Sequence, residues 1–118
     1  MANNKSFVVK NGLLAGRYLG SNGTIASGTL DLSTGNTFSF TPSGATTVSF
    51  TNPPASGLAI GFTLEVINTG GYTLTWPSSV KWHLATTPTA TATKEVYAFI
   101  TTDGGTTYYG KKAGENLA

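Results

Sequence analysis

Apolar and polar positions alternate with a period of two residues through most of the chain. The segment TFSF places Phe38 and Phe40 on one face, and GFTLEVIN does the same for Phe62, Leu64 and Val66. Threonine or another small or polar residue occupies most positions between them, as expected for strands with one face in a core. The alternation continues in TTVSF and GYTLTW, whose apolar positions are Val48, Phe50, Tyr72, Leu74 and Trp76. The pattern therefore predicts a series of short β-strands.

Turn-forming residues separate these strands. The segments TPSGAT, NPPASG and NTGG supply the Pro, Gly and Asn that tight connections require. Nearer the C-terminus, KEVYAFITT is apolar on both alternating sets, which indicates a central strand. The tip Asp103–Gly105 then predicts a hairpin into TTYYG. Because no segment longer than a few residues has helical periodicity, we predict an all-β fold: a small antiparallel β-sandwich or jelly-roll-like barrel.

The chain divides into two unequal parts. Residues 1–30 lack an alternation long enough to build a sheet, so we interpret them as an N-terminal arm or edge hairpin. Residues 31–118 are then the β-sandwich core with a short C-terminal tail. The arm carries apolar side chains that need burial on the domain or on a neighbouring chain, and these are predicted partner-interface residues: Phe7, Val8, Val9, Leu13 and Leu14.

Charged residues make up 10% of the 118 residues, against about 25% in an ordinary domain. A surface with so little charge must be covered by hydroxyls, backbone or a partner. The seven Lys and Arg are scattered, with Lys111–Lys112 the single adjacent pair, which argues against nucleic-acid binding. The N-terminus lacks the apolar run of a signal peptide, and no run of 18 apolar residues predicts a membrane span. We therefore expect a soluble protein made in the cytoplasm, with no membrane partner.

The stretch GGYTLTWPSSVKWH, residues 70–83, holds both tryptophans and the single histidine. Trp76 and Trp82 could form a stacking platform for a sugar or a base. The alternation with Tyr72 and Leu74 favours a core role for Trp76 instead. If their rings are exposed, the residues of a possible ligand platform are Trp76, Trp82, Tyr108 and Tyr109.

Catalytic equipment is not visible in the sequence. His83 has no recognisable nucleophile or acid partner, and none of the five carboxylates is paired in sequence. The chain has no cysteine, and a lone histidine cannot supply the ligands of a zinc site. We therefore predict no enzymatic activity, no catalytic or metal-binding residues and no cofactor.

Four segments carry a resemblance to a known family: SFVVKNGLLAG, GTLDLSTGNTFSFTPSGATTVSFTNPPASG, FTLEVINTGGYTLTWPSSVKW and VYAFITTDGGTTYYGKKAGENLA. Together they resemble a module of virion structural proteins of tailed bacteriophages, especially marine and cyanobacterial ones. The most specific parts are WPSSVKW and DGGTTYYG. His83–Leu84 departs from the pattern, in which proline or glycine often follows the second tryptophan.

The resemblance implies a non-enzymatic virion structural protein. The module that it resembles is found in small capsid decoration proteins and in tail-fibre-like proteins. A chain of 118 residues is too short for the attachment domain, shaft and tip of a fibre. It suits a capsid decoration (cement) protein, expected to be a homotrimer that binds the major capsid protein outside the head and stabilises capsomer junctions. The alternative is a tail or tail-fibre-associated protein that binds a host carbohydrate receptor.

Overall fold

The computed structural model describes residues 22–117, which contain ten β-strands and one short 3-10 turn. In chain order the strands are β1 (Asn22–Ile25), β2 (Thr29–Asp31), β3 (Thr37–Phe40), β4 (Thr46–Thr47), β5 (Ser49–Thr51), β6 (Ile60–Ile67), β7 (Leu74–Thr75), β8 (Val80–Trp82), β9 (Lys94–Thr101) and β10 (Tyr108–Gly114). The 3-10 turn spans His83–Ala85. The all-β prediction is thus confirmed.

The strands form one large mixed sheet and two small ones. The large sheet has the order β1-β3-β6-β9-β10-β8, and the small sheets pair β2 with β5 and β4 with β7. Between residues 22 and 117, the antiparallel pairs are β6–β9 and β9–β10, and the other five pairs are parallel.

The predicted antiparallel arrangement is therefore wrong, for a reason that lies in the connections. TPSGAT and NPPASG do not close hairpins. They carry the chain from β3 in the large sheet to the small sheets, and from β5 back to β6. Strands of successive passes then lie side by side in the same direction, as crossover connections require. Whether these layers form a sandwich or jelly-roll-like barrel stays a prediction.

The strongest alternation signals gave the correct strands. Phe62, Leu64 and Val66 all lie buried on one face of β6, and β9 is a central strand between β6 and β10. The predicted hairpin is confirmed, since β9 and β10 are antiparallel neighbours. Gly104 and Gly105 at its tip have φ values of 71° and 82°, which glycine adopts without strain.

The core lies between the inner face of the large sheet and the small sheets. Phe50 of β5 packs into the large sheet, with its ring centroid 5.1 Å from Phe62, 5.1 Å from Phe99 and 4.7 Å from Tyr108. These tilted and edge-on ring pairs are the arrangements that aromatic quadrupoles favour. The remaining buried apolar side chains continue this core along the sheet: Leu30, Leu32, Phe38, Phe40, Val48, Leu64, Val66, Leu74, Val80 and Tyr97.

One ion pair is enclosed at the end of this core. Glu95 is fully buried, and the Lys112 Nζ lies 2.6 Å from its Oε2. The same ammonium donates to the Thr89 carbonyl at 2.6 Å and to the Glu115 carboxylate at 3.0 Å. Burial opposes the charge of Lys112, but its hydrogen bonds to the Glu95 and Glu115 carboxylates raise the pKa of its ammonium above the ordinary value. Lys112 thereby fastens the β8–β9 connection and the C-terminal segment to the sheet.

The beginning of the described chain belongs to the sheets. β1 and most of β2 lie within residues 1–30, the predicted arm or edge hairpin. In the structure β1 pairs with β3, and β2 pairs with β5. The predicted interface residues in the arm, Phe7, Val8, Val9, Leu13 and Leu14, lie outside the described residues. No helix within residues 22–117 is long and apolar enough to cross a bilayer.

Candidate functional site

The two tryptophans pack against the core and against each other. Both are half-buried, and their ring centroids lie 5.2 Å apart in an edge-on contact. Trp76 approaches the Tyr97 ring at 4.6 Å, and Trp82 approaches the Phe99 ring at 5.7 Å. One side of each indole therefore packs against other rings, and both residues also line a surface depression of about 430 Å³.

The two adjacent tyrosines lie on opposite faces of β10. Tyr108 is 3% exposed and contacts Phe50 in the core, whereas Tyr109 is 60% exposed on the outer face of the large sheet. Among the four predicted platform residues, Tyr109 thus has the accessible ring. The structure separates it from Trp76 and Trp82, whose rings pack on the inner face.

Strand register brings other side chains beside Tyr109. Its partners on the neighbouring strands are Lys81 of β8 and Ile100 of β9, and Ile100 in turn pairs with Gly61 of β6. Paired residues present their side chains on the same face of a sheet. Ile100 is 44% exposed, so Tyr109 and Ile100 form an apolar surface flanked by Lys81.

A second row of side chains runs parallel to the first. Lys111 of β10 pairs with Ala98 of β9, which pairs with Thr63 of β6, which pairs with Thr37 of β3. Where β8, β9 and β10 lie side by side, the two rows line a shallow depression of about 620 Å³. Its lining comprises Lys81, His83, Ala98, Ile100, Tyr109 and Lys111, together with Trp82, Phe99 and Gly110. We refer to it as the outer-face depression.

The depression is positively charged. Among residues 22–117, no carboxylate oxygen lies within 4.0 Å of the Nζ of Lys81 or Lys111. Lys112, the next residue along β10, points to the opposite face and is paired with Glu95. The depression therefore combines an open aromatic ring with two cations that carboxylates of the described chain do not neutralise.

His83 lines this depression, and Leu84 follows it in the 3-10 turn. Leu84 is 82% exposed, and both Leu84 and Ala85 have left-handed backbone conformations, with φ values of 55° and 54°. Non-glycine residues rarely adopt this conformation, so the turn holds an apolar side chain outward at a local energetic cost.

The polar turn residues serve the backbone. Asp103 Oδ1 accepts hydrogen bonds from the Thr107 N–H at 2.9 Å and the Thr101 hydroxyl at 3.1 Å. The Thr107 backbone hydrogen bond is the main cause of the lowered pKa of Asp103. In the part of the chain that the structure describes, no group of three His, Asp or Glu side chains is arranged to hold a metal ion.

Sequence reasoning missed Lys81, Ala98, Ile100 and Lys111 as members of one surface. One signal pointed to it: KEVYAFITT is apolar on both alternating sets, so one set, which includes Ala98 and Ile100, had to lie on the second face of the sheet. The alternation could not reveal that Ile100 remains accessible there. Comparison of the chain with known protein families, curated proteins and solved structures gave no match.

Proposed function

We propose that the protein is a non-enzymatic virion structural protein, a capsid decoration (cement) protein that binds the outside of a tailed-phage head. The resemblance in WPSSVKW and DGGTTYYG supports this assignment. In the structure these segments form β8 with its preceding turn, and the tip of the β9–β10 hairpin with the start of β10; β8 and β10 are neighbours in the large sheet.

The observation that carries the proposal is that no strand of residues 22–117 covers the edge of the large sheet at β1. Within residues 22–117, β1 pairs with β3 on one side and has no strand on the other. Its sequence NGTI contains none of the charges or prolines that protect exposed edges from pairing. Such an edge suits pairing with another chain, as a subunit interface would provide.

The apolar segment directly precedes this edge in the chain. Leu14 lies eight positions before Asn22 and Phe7 fifteen, so in a fully extended chain Leu14 can lie at most about 29 Å and Phe7 at most about 54 Å from the start of β1. We propose a homotrimer in which each copy uses the β1 edge and this segment to contact its neighbours and the major capsid protein. The small sheets β2–β5 and β4–β7 then serve as the second layer of a sandwich.

The test compares full-length protein with a variant lacking residues 1–14. Light scattering measures the oligomer, and co-sedimentation measures binding to phage particles from which the protein has been removed. We expect the truncated variant to keep its β spectrum by circular dichroism but to sediment poorly with particles. A monomer at all concentrations, together with undiminished binding by the truncated form, would contradict the proposal.

A charge placed on the edge tests the role of β1 separately. Thr24→Lys should weaken self-association, because a lysine on an edge strand opposes pairing with a second strand. Thr106→Lys, at the exposed tip of the β9–β10 hairpin, is the matched control and should associate as the wild type does. Equal self-association of the two variants would show that β1 is not part of the interface.

The exposure of Tyr109 favours a second candidate, a tail-associated protein that binds a carbohydrate receptor. Trp76 and Trp82 pack against other rings, so Tyr109 is the most accessible of the predicted platform residues. The two candidates predict different locations in the virion, and labelling particles with an antibody against the protein distinguishes head from tail.

A further inference from the structure

We propose that the outer-face depression binds an anionic saccharide, with one sugar ring stacked on Tyr109 and its acidic group held between Lys81 and Lys111. The site is independent of the β1 edge, which lies at the opposite end of the six-stranded sheet. A protein attached to a particle through β1 would therefore leave the depression accessible.

The charge geometry suits one acidic group. Lys81 pairs with Tyr109, and Lys111 follows Tyr109 by two positions on β10. Strand spacing and rise place the Cα atoms of the two lysines about 8 Å apart, with the base of Tyr109 between them. Both ammonium groups can thus reach one carboxylate or sulfate next to a ring that lies on the tyrosine face.

The neighbouring surface suits a sugar ring and its hydroxyls. Gly61 leaves space beside Ile100, since a Cβ at this position would come no nearer than 3.9 Å to the Phe99 carbonyl oxygen. Ala98 keeps the centre of the depression shallow. Beyond it, Thr63 and Thr37 continue the same row and present hydroxyls that can donate to and accept from sugar hydroxyls.

The positive charge of the depression disfavours two occupants from this protein, its own N-terminal segment and a second copy. The charged residues of the N-terminal segment are Lys5, Lys10 and Arg17, so this segment would bring like charges toward Lys81 and Lys111. A second copy docked face to face would bring the same positively charged patch against itself, because a two-fold interface uses the same patch on both copies. A negatively charged partner is the complementary one.

Two features favour a saccharide over a nucleic acid. Binding of a nucleic-acid strand needs cations along the path of successive phosphates. Here the rows next to the depression carry threonines and then Glu65, which accepts a hydrogen bond from Ser39 at 3.3 Å. A second phosphate would therefore meet hydroxyls and a carboxylate instead of cations.

The experiment is calorimetric titration of the full-length protein with tetragalacturonate, a carboxylate-bearing probe, and with a sulfated chondroitin tetrasaccharide. Neutral galactotetraose and a single-stranded oligothymidylate are the comparison ligands. We expect at least one acidic tetrasaccharide to bind about tenfold more tightly than the neutral one, and its affinity to fall with added salt.

Three variants locate the site. Tyr109→Ala and the double variant Lys81→Gln/Lys111→Gln should each lower the affinity by about tenfold or more. Lys94→Gln is the matched control, because Lys94 lies on the same outer face but at the far end of β9, where it pairs with Ile67. Circular dichroism verifies that each variant is folded, as expected for changes at accessible side chains.

Three results would overturn the proposal: no binding of either acidic saccharide, equal affinities for the Lys94 control and the two site variants, or tighter binding of the oligothymidylate. These titrations need no particle. A failure of the capsid-binding experiment would therefore leave this inference standing, and the reverse also holds.

Discussion

Replacing Gly110 with alanine should destabilise the fold, although the change adds a single methyl group. Gly110 lies on the inner face of β10, between Phe99 on β9 and Trp82 on β8. A Cβ at this position would lie 2.7 Å and 2.8 Å from two carbons of the Phe99 ring and 3.1 Å from a methyl of Val80. Carbon atoms in good contact are about 3.5–4.0 Å apart, so the ring would have to move by about 0.7 Å or more.

The Phe99 ring has little freedom to move. Its centroid is 5.1 Å from Phe50, 5.2 Å from Phe62, 5.6 Å from Trp76 and 5.7 Å from Trp82, which surround it with other rings. Overpacking of such a core costs about 1–3 kcal/mol of unfolding free energy. Each kcal/mol lowers the melting temperature by about 4–8 °C in a domain of this size.

Gly61→Ala is the matched control for this substitution. It introduces the same methyl group into β6 of the same sheet, where the nearest heavy atom would be 3.9 Å away. We expect it to be neutral or to stabilise by up to about 1 kcal/mol, because alanine restricts the unfolded chain. Urea unfolding followed by tryptophan fluorescence measures both variants. Equal stabilities of Gly110→Ala and Gly61→Ala would refute the packing explanation.

Three further predictions concern charge and the indoles. Lys112→Met should cost about 3–5 kcal/mol in urea unfolding because it leaves the buried Glu95 carboxylate without its cation, whereas Lys111→Met at the neighbouring exposed position should have little effect. The raised pKa of Lys112 means that its contribution to stability is present below about pH 10.4 and is lost as the pH rises through the folded-state pKa. The lowered pKa of Asp103 means that its contribution to stability is present above pH 3.8 and is lost as the pH falls through the folded-state pKa. The urea midpoint should therefore decline at both ends of the pH range, and Asp103→Asn should flatten the decline at acid pH. Acrylamide should quench both indoles less readily than free tryptophan, and quenching equal to that of free tryptophan would contradict the ring contacts. Trp76→Ala should lower the free energy of unfolding by about 3 kcal/mol, the lower end of the range for buried tryptophan, because the ring is half-buried.

The alternation predicted which face of a strand is buried wherever the apolar set was unbroken. Phe62, Leu64 and Val66 needed no tertiary information, because polar and small residues at the intervening positions leave one choice of inner face. The hairpin tip was equally local, since the Gly104–Gly105 pair permits the positive φ values of the turn. These parts of the fold depend on the chemistry of a few consecutive residues.

The choice of strand partner could not be predicted in this way. Period-two alternation is the same in parallel and antiparallel strands, so it did not distinguish a hairpin loop from a crossover between sheets. Tyr108 and Tyr109 illustrate the same limit at the candidate site. Adjacent residues of a strand must face opposite ways, but the register of β10 on β9 decides that Tyr108 is buried and Tyr109 accessible.

The parallel winding of the strands also has a kinetic consequence. Among the strands between residues 22 and 117, β9 and β10 are the one pair that are consecutive in the chain and also neighbours in a sheet. The other strands pair with partners further along the chain: β3 with β6, β4 with β7 and β8 with β10. Loop closure must precede each of these distant pairings, so their contacts are gained late, and chains dominated by such contacts fold in milliseconds to seconds. The β9–β10 hairpin is the local unit that can form first, while the β1 edge cannot exist until β3 and β6 are in place. A neighbouring subunit that pairs with β1 would thus select chains that have already completed their fold.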